Sequence, residues 1–115
     1  MVNVMKEIMK ISEIENLQFN EKGLIPVITQ CFKTKDVLMM AWMNKMAIER
    51  TIRLHKVTYF SRSRNELWEK GESSGNFQKL KMLIPDCDKD TLLAVVEQTG
   101  VACHMGTWSC FNETV

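Results

Sequence analysis

An α+β fold, mainly antiparallel sheet with one clear amphipathic helix, is predicted by short β-prone runs, one stretch of helical periodicity, and the absence of any repeat or linker. Residues 24–30 and 37–43 are rich in apolar and β-branched side chains, and Lys33, Thr34, Lys35 and Asp36 form a polar connection of hairpin length between them. They predict paired strands. Asn44 then caps a helix running to about His55, because Ala47, Ile48 and Ile52 recur at helical spacing while Lys45, Glu49, Arg50 and Arg53 take the other side.

Residues 57–61 form a short β-prone run. In the next strand Leu80, Met82 and Ile84 alternate with Lys79, Lys81 and Leu83, which predicts one face for each set. Residues 91–98 make a further strand, more completely buried. The N-terminal segment up to Leu17 fits a short helix or a strand equally well. The five glycines sit singly at turns.

The composition, 45% hydrophobic and 25% charged over 115 residues, is that of one globular domain spanning residues 1–115. A net charge of +1 provides no global field for nucleic acid or an anionic membrane, so any site for a polyanion is local. Residues 1–17 are broken by Lys6, Glu7, Lys10, Glu13 and Glu15, leaving no apolar run of signal or membrane-span length. A cytoplasmic, reducing location is expected, with the four cysteines as thiols or metal ligands.

The chemistry concentrates in the last third. P-D-C-D-K-D from Pro85 is followed by Cys103 and Cys110 in V-A-C-H-M-G-T-W-S-C-F. Thiolates of Cys87, Cys103 and Cys110 are soft ligands that favour zinc, while carboxylates of Asp86, Asp88 and Asp90 are hard ligands that favour magnesium or calcium. Three thiolates leave one tetrahedral position for water, the pattern of a catalytic zinc rather than of paired C-x-x-C knuckles. A lone cysteine is usually a small buried apolar residue, and Cys31, inside an apolar strand, takes that reading. Cys87 between two carboxylates and Cys103 before His104 are poor settings for an apolar plug.

In an extended segment the three aspartates project to one face and Cys87 to the other. An EF-hand loop begins similarly, but Thr91 occupies the glycine position and T-L-L-A-V-V beyond it reads as strand. A solvated acidic turn after Pro85 is the plain alternative.

A second constellation runs Y-F-S-R-S-R-N-E-L-W-E-K-G-E-S-S-G-N from Tyr59 to Asn76. Arg62 and Arg64 can fork onto phosphate oxygens, Ser61, Ser63, Ser73 and Ser74 can donate further bonds, and Gly71 and Gly75 permit close backbone approach. A nucleotide phosphate and a charged hairpin with a serine-rich turn fit it about equally. Trp68 suits either base stacking or the core.

Taken together, these blocks resemble the phosphoribosyl-AMP cyclohydrolase family. The resemblance is carried by residues 23–28, 37–44, 60–76 with S-R-S-R, L-W-E-K-G-E and S-G-N, 86–90, and 97–111. It implies an intertwined homodimer with zinc at the interface, Cys87, Cys103 and Cys110 as zinc ligands, and Asp86, Asp88 and Asp90 as magnesium ligands. The implied reaction in histidine biosynthesis is hydrolytic opening of the adenine ring of phosphoribosyl-AMP between N1 and C6. The candidate substrate-binding set, read from the residues themselves, is Arg62, Arg64, Trp68, Lys70, Glu72, Ser73, Ser74, Gly75 and Asn76. His104 is the candidate proton shuttle, or else only a hydrogen-bonding neighbour of the metal; Glu72 is a weaker acid–base candidate. His55 is expected at the surface or the helix terminus.

The chain departs from the family at Thr107 and Trp108, where basic residues are common, so Arg62, Arg64 or Lys70 is expected to take over phosphate binding. Its end at Val115 leads us to expect no fused pyrophosphohydrolase domain. It also lacks the H-x-E and P-C-x-x-C pattern of zinc deaminases. The competing reading is a non-catalytic dimeric module, stapled by zinc with His104 as fourth ligand, that senses a nucleotide. A zinc domain for nucleic acid is disfavoured by the balanced charge.

Overall fold

Four apolar segments assemble into a mixed sheet in the computed structural model, which describes residues 8–112. The elements in chain order are a 3-10 helix at Ile11–Asn16, β1 at Ile25–Cys31, β2 at Val37–Met43, α1 at Lys45–Leu54, β3 at Thr58–Ser61, β4 at Glu66–Glu69, β5 at Gln78–Pro85 and β6 at Leu92–Gln98. Met1 to Glu7 lie outside the described residues, so the undecided N-terminal reading is answered only from Ile8 onward. There Ile8 bridges Leu83 and the 3-10 helix follows.

The large sheet has the order β2-β1-β6-β5, and β3 and β4 form a separate hairpin. The β1/β2 pair is antiparallel as expected, and β5/β6 and β3/β4 are antiparallel too, but β1 and β6 run parallel, Val27 beside Leu92 and Cys31 beside Val96. The sheet is therefore mixed. The inner strand β6 buries Leu92, Ala94 and Val96 completely and Val95 almost so on the other face, which explains a run too apolar for simple alternation.

Two irregularities revise the expected faces. In β5 the register shifts between Leu80 and Met82, so Lys81 is the extra residue of a bulge. The phase changes there: Leu80 and Leu83 both enter the core, and Leu80 does not share a face with Met82 and Ile84. In β2 a shift opposite Thr29 and Gln30 lets consecutive Leu38 and Met39 both be buried. Strand β4 was not foreseen; it pairs Trp68 with Tyr59 across the hairpin.

Asn44 caps α1 by accepting the Ala47 N–H at 2.8 Å, and Ala47, Ile48 and Thr51 form the buried face. His55 ends the helix in the left-handed region at φ 58° and is exposed, as its position suggested. Cys31 is a buried core residue, also as expected. Among the described residues, no helix is long and apolar enough to cross a membrane.

Removing the cap tests the helix assignment. Asn44→Ala is expected to lower stability by about 1 kcal/mol in urea unfolding, with Asn44→Asp nearly neutral because it keeps the accepting oxygen.

Candidate active site

The candidate site is built at the end of the sheet where β6 finishes and β5 begins. After β4, Lys70 donates its backbone N–H to Val57 O at 3.0 Å, and the chain then turns through Gly71, whose φ is 88°. The turn is closed by Glu72 N–H to Glu69 O at 3.2 Å and by Gly75 N–H to Gly71 O at 2.8 Å. Ser74 Oγ accepts the Asn76 N–H at 3.2 Å, fixing the exit into β5. A Cβ on Gly71 would stand 2.6 Å from the backbone of Asn76 and Phe77, so only glycine allows so tight a crossing.

The opposite wall comes from the segment after β6. Ala102 and Cys103 donate their N–H groups to Trp108 O and Thr107 O, each at 3.1 Å, and Gly106 N–H returns to Cys103 O at 2.9 Å. Ser109 staples this loop to β2 by donating its hydroxyl to Val37 O at 2.7 Å, while Cys110 N–H reaches Leu38 O at 2.7 Å. These bonds bring Cys103 and Cys110 side by side.

Between the walls lies a cleft of about 360 Å³, within the size range of small-molecule sites. Trp68, Lys70, Glu72, Ser73, Ser74 and Asn76 line one side; Cys103 and His104 are on the other. Gly71 lines it too, and Glu69, Val101, Ala102 and Gly106, which sequence reasoning had not singled out, complete it. Their only signal was adjacency to chemistry-bearing neighbours. Gly75 belongs to the turn but not to the lining.

Lys70 is only 8% exposed, and its ammonium donates to Ala102 O at 2.6 Å while lying 5.3 Å from the Trp68 ring centre. It joins the two walls. Burial pushes its pKa below the ordinary lysine range. Trp68 stacks at a tilt on Tyr59, centroids 5.4 Å apart, so it is half core and half cleft wall.

The thiols of Cys103 and Cys110 lie within side-chain hydrogen-bonding reach of each other. Cys103 Sγ accepts the Met105 N–H at 3.4 Å, and that bond lowers its pKa. Burial, and then Cys103 itself, raises that of Cys110. The environment thus favours a thiolate at Cys103 first, the form that binds metal.

Cys87 lies elsewhere. It is exposed in the turn joining β5 to β6, beside Leu92, whereas Cys103 and Cys110 follow the far end of β6. Seven residues of strand at about 3.3 Å each separate those ends by about 20 Å. Among the described residues, the three thiols do not gather into one metal-sized group within the chain.

Asp86, Asp88 and Asp90 do gather: one oxygen from each lies within 4.8 Å of the others, and all three are exposed. They do so from a turn rather than the expected extended segment, because Lys89 takes φ 61° and Asp90 N–H bonds Asp86 Oδ1 at 3.1 Å. Partial desolvation, then the charges of Asp86 and Asp88, raise the pKa of Asp90.

The two arginines stand outside the cleft lining. Arg62 sits 4.9 Å over the Trp42 ring, and Arg64 is 3.7 Å from Glu66 with both side chains more than half exposed. Thr107 donates its hydroxyl to Ser109 O at 2.8 Å and the Trp108 indole N–H donates to Asp36 at 2.9 Å. Both side chains hold the loop.

A family model described as phosphoribosyl-AMP cyclohydrolase matches residues 39–112. Among curated relatives, a phosphoribosyl-AMP cyclohydrolase of Prosthecochloris aestuarii is 56% identical over 100 residues, covering 87% of this chain and 73% of its own length. One of Archaeoglobus fulgidus is 58% identical over 95 residues, covering 83% and 88% respectively. The histidine biosynthesis bifunctional protein HisIE of Thermoanaerobacter pseudethanolicus is 53% identical over 102 residues, 89% of this chain but 47% of that larger protein.

The two turn glycines separate steric from conformational strain. Gly71→Ala is expected to destabilise by about 3 kcal/mol and Gly75→Ala, with φ 82° but open space around its Cβ, by about 1 kcal/mol. Thermal or urea unfolding of the two variants checks the order.

Proposed function

The chain belongs to the phosphoribosyl-AMP cyclohydrolase family, and from that premise we propose that it opens the adenine ring of phosphoribosyl-AMP at the N1–C6 bond, using zinc shared between two subunits. It is a hydrolase acting on a cyclic amidine, in histidine biosynthesis. Residues 1–115 act as one catalytic domain in this reading.

The observation that carries it is the cleft that joins the nucleotide-binding candidates to Cys103 and His104. Cys103 and Cys110 fit zinc by donor softness, by proximity and by the N–H that stabilises a thiolate at Cys103. Cys87 of the partner subunit is the third ligand. A dimer is supported further by the sheet face away from α1, where Ile28 and Met40 are about two-fifths exposed and Met82 and Leu93 are half-buried. Free thiols as ligands also suit a reducing, cytoplasmic setting. Asp86, Asp88 and Asp90 fit magnesium, whose charge would relieve the repulsion in that turn.

Zinc held by these thiolates would activate water as the nucleophile near neutral pH. The chain's own groups do the rest. Trp68 offers a face for the purine, while Ser73, Ser74 and Asn76, with the Gly75 backbone, bind phosphate oxygens. Arg62 and Arg64, in the β3/β4 turn, supply further positive charge for the substrate phosphates. Lys70 keeps the walls in register and adds positive charge beneath the cleft. Water adds its oxygen to C6, the N1–C6 bond breaks, and the proton released passes to N1; His104 is exposed at the cleft and carries it, with Glu72 opposite as a second acid–base group.

Incubation with phosphoribosyl-AMP should change the ultraviolet spectrum as the purine opens, and a zinc chelator should abolish the change. Cys103→Ser should lose zinc and turnover together. Asp88→Asn should lower the rate and the magnesium requirement while zinc content stays at the parent value; equal loss of zinc would show the two metals to be wrongly divided. Mixing inactive Cys87→Ser and Cys103→Ser chains under subunit exchange should restore about one quarter of parent turnover, since one site in each mixed dimer regains all three thiols. No recovery would mean that each site draws Cys87 from its own chain.

A further inference from the structure

A chain of buried polar side chains runs from the middle of the sheet to the cleft, and the reaction itself makes no use of it. Thr29 on β1, Tyr59 on β3 and Gln78 on β5 are fully buried, where an unsatisfied polar group costs about 1–3 kcal/mol. Their bonds run in one direction. Tyr59 donates its hydroxyl to Gln78 Oε1 at 2.6 Å, so the 2.7 Å contact with Thr29 has the threonine as donor. Gln78 Nε2 then donates to Gln98 Oε1 at 2.9 Å, its other hydrogen facing Met39 Sδ at 3.4 Å.

This fixes the Gln98 amide with its nitrogen outward. Gln98 Nε2 faces four carbonyl oxygens: Thr99 at 2.9 Å, Val101 at 3.3 Å, Asn76 at 3.4 Å and Phe77 at 3.5 Å. Asn76 and Val101 line opposite sides of the cleft. A flipped amide would set an oxygen against those carbonyls, and Gln78, locked by the Tyr59 hydroxyl, opposes the flip. Burial raises the Tyr59 pKa well above the ordinary phenol range, so the donor persists through neutral pH.

We infer that Gln98, oriented by the Thr29–Tyr59–Gln78 relay, is a positioning residue that sets the separation of the two cleft walls and thereby the affinity for substrate. The inference rests on the cleft being the cyclohydrolase site. It touches neither the thiols nor His104, so its signature is separable from loss of metal or of chemistry.

The test is steady-state kinetics on phosphoribosyl-AMP with Gln98→Met and Gln78→Met, alongside zinc content and thermal unfolding. Gln98→Met should raise KM about tenfold with kcat within about twofold of the parent and zinc unchanged. Gln78→Met should shift KM the same way by less, and it decides the matter if Gln98→Met fails to fold. Parent KM in folded variants that merely melt earlier would overturn the inference, as would a fall in zinc content parallel to kcat. Absence of turnover by the unmodified chain would contradict the assigned reaction, and with it this role for Gln98.

Discussion

The length of one strand governs the architecture of this site. Cys87 precedes β6 and Cys103 and Cys110 follow it, so a straight run of seven residues, about 20 Å, keeps the first thiol from the other two. A single chain can therefore offer a zinc ion two thiolates and no more. If the third comes from a second copy, catalysis requires association, and the exposed apolar face of the sheet has a reason to be there. The same hairpin carries the aspartate turn, so the proposed magnesium site and the donated thiol travel together on one rigid element.

The cleft is the complementary result. Its walls come from segments far apart in sequence, brought together as β5 and β6 pair with Gln78 opposite Gln98. Lys70 closes the base of that gap through Ala102, and the Gln98 amide closes its side. The cleft thus leans on buried polar groups, whose bonds are directional, rather than on apolar packing, which would tolerate sliding. Thr107 and Trp108 extend the pattern, bracing the loop through Ser109 and Asp36.

How much of this could be read from the sequence depends on the range over which each feature is determined. Asn44 as a cap, the apolar face of α1 and the bounds of β2 are local patterns, and they are where the chain's periodicity places them. Strand β4 is four residues, E-L-W-E, with too few apolar positions to announce itself; it exists because Trp68 can lie against Tyr59. The parallel β1/β6 ladder joins segments some sixty residues apart and leaves no local trace. The bulge at Lys81 inverts a face that simple alternation had assigned, and the left-handed Lys89 turns the aspartate run into a loop while still bringing its carboxylates together. At the cleft, Trp68, Lys70, Ser73 and His104 were legible as polar or reactive side chains. Val101 and Ala102 were not, since apolar residues gain a role there only from position.

Zinc-edge X-ray absorption of the metal-loaded protein tests the central claim most directly. Three sulfur scatterers and one light oxygen or nitrogen per zinc, the light one exchangeable with an added anion, are predicted for thiolates contributed by two chains around an open position. A spectrum with at most two sulfurs, or one whose fourth ligand is a histidine nitrogen that no anion displaces, would contradict it.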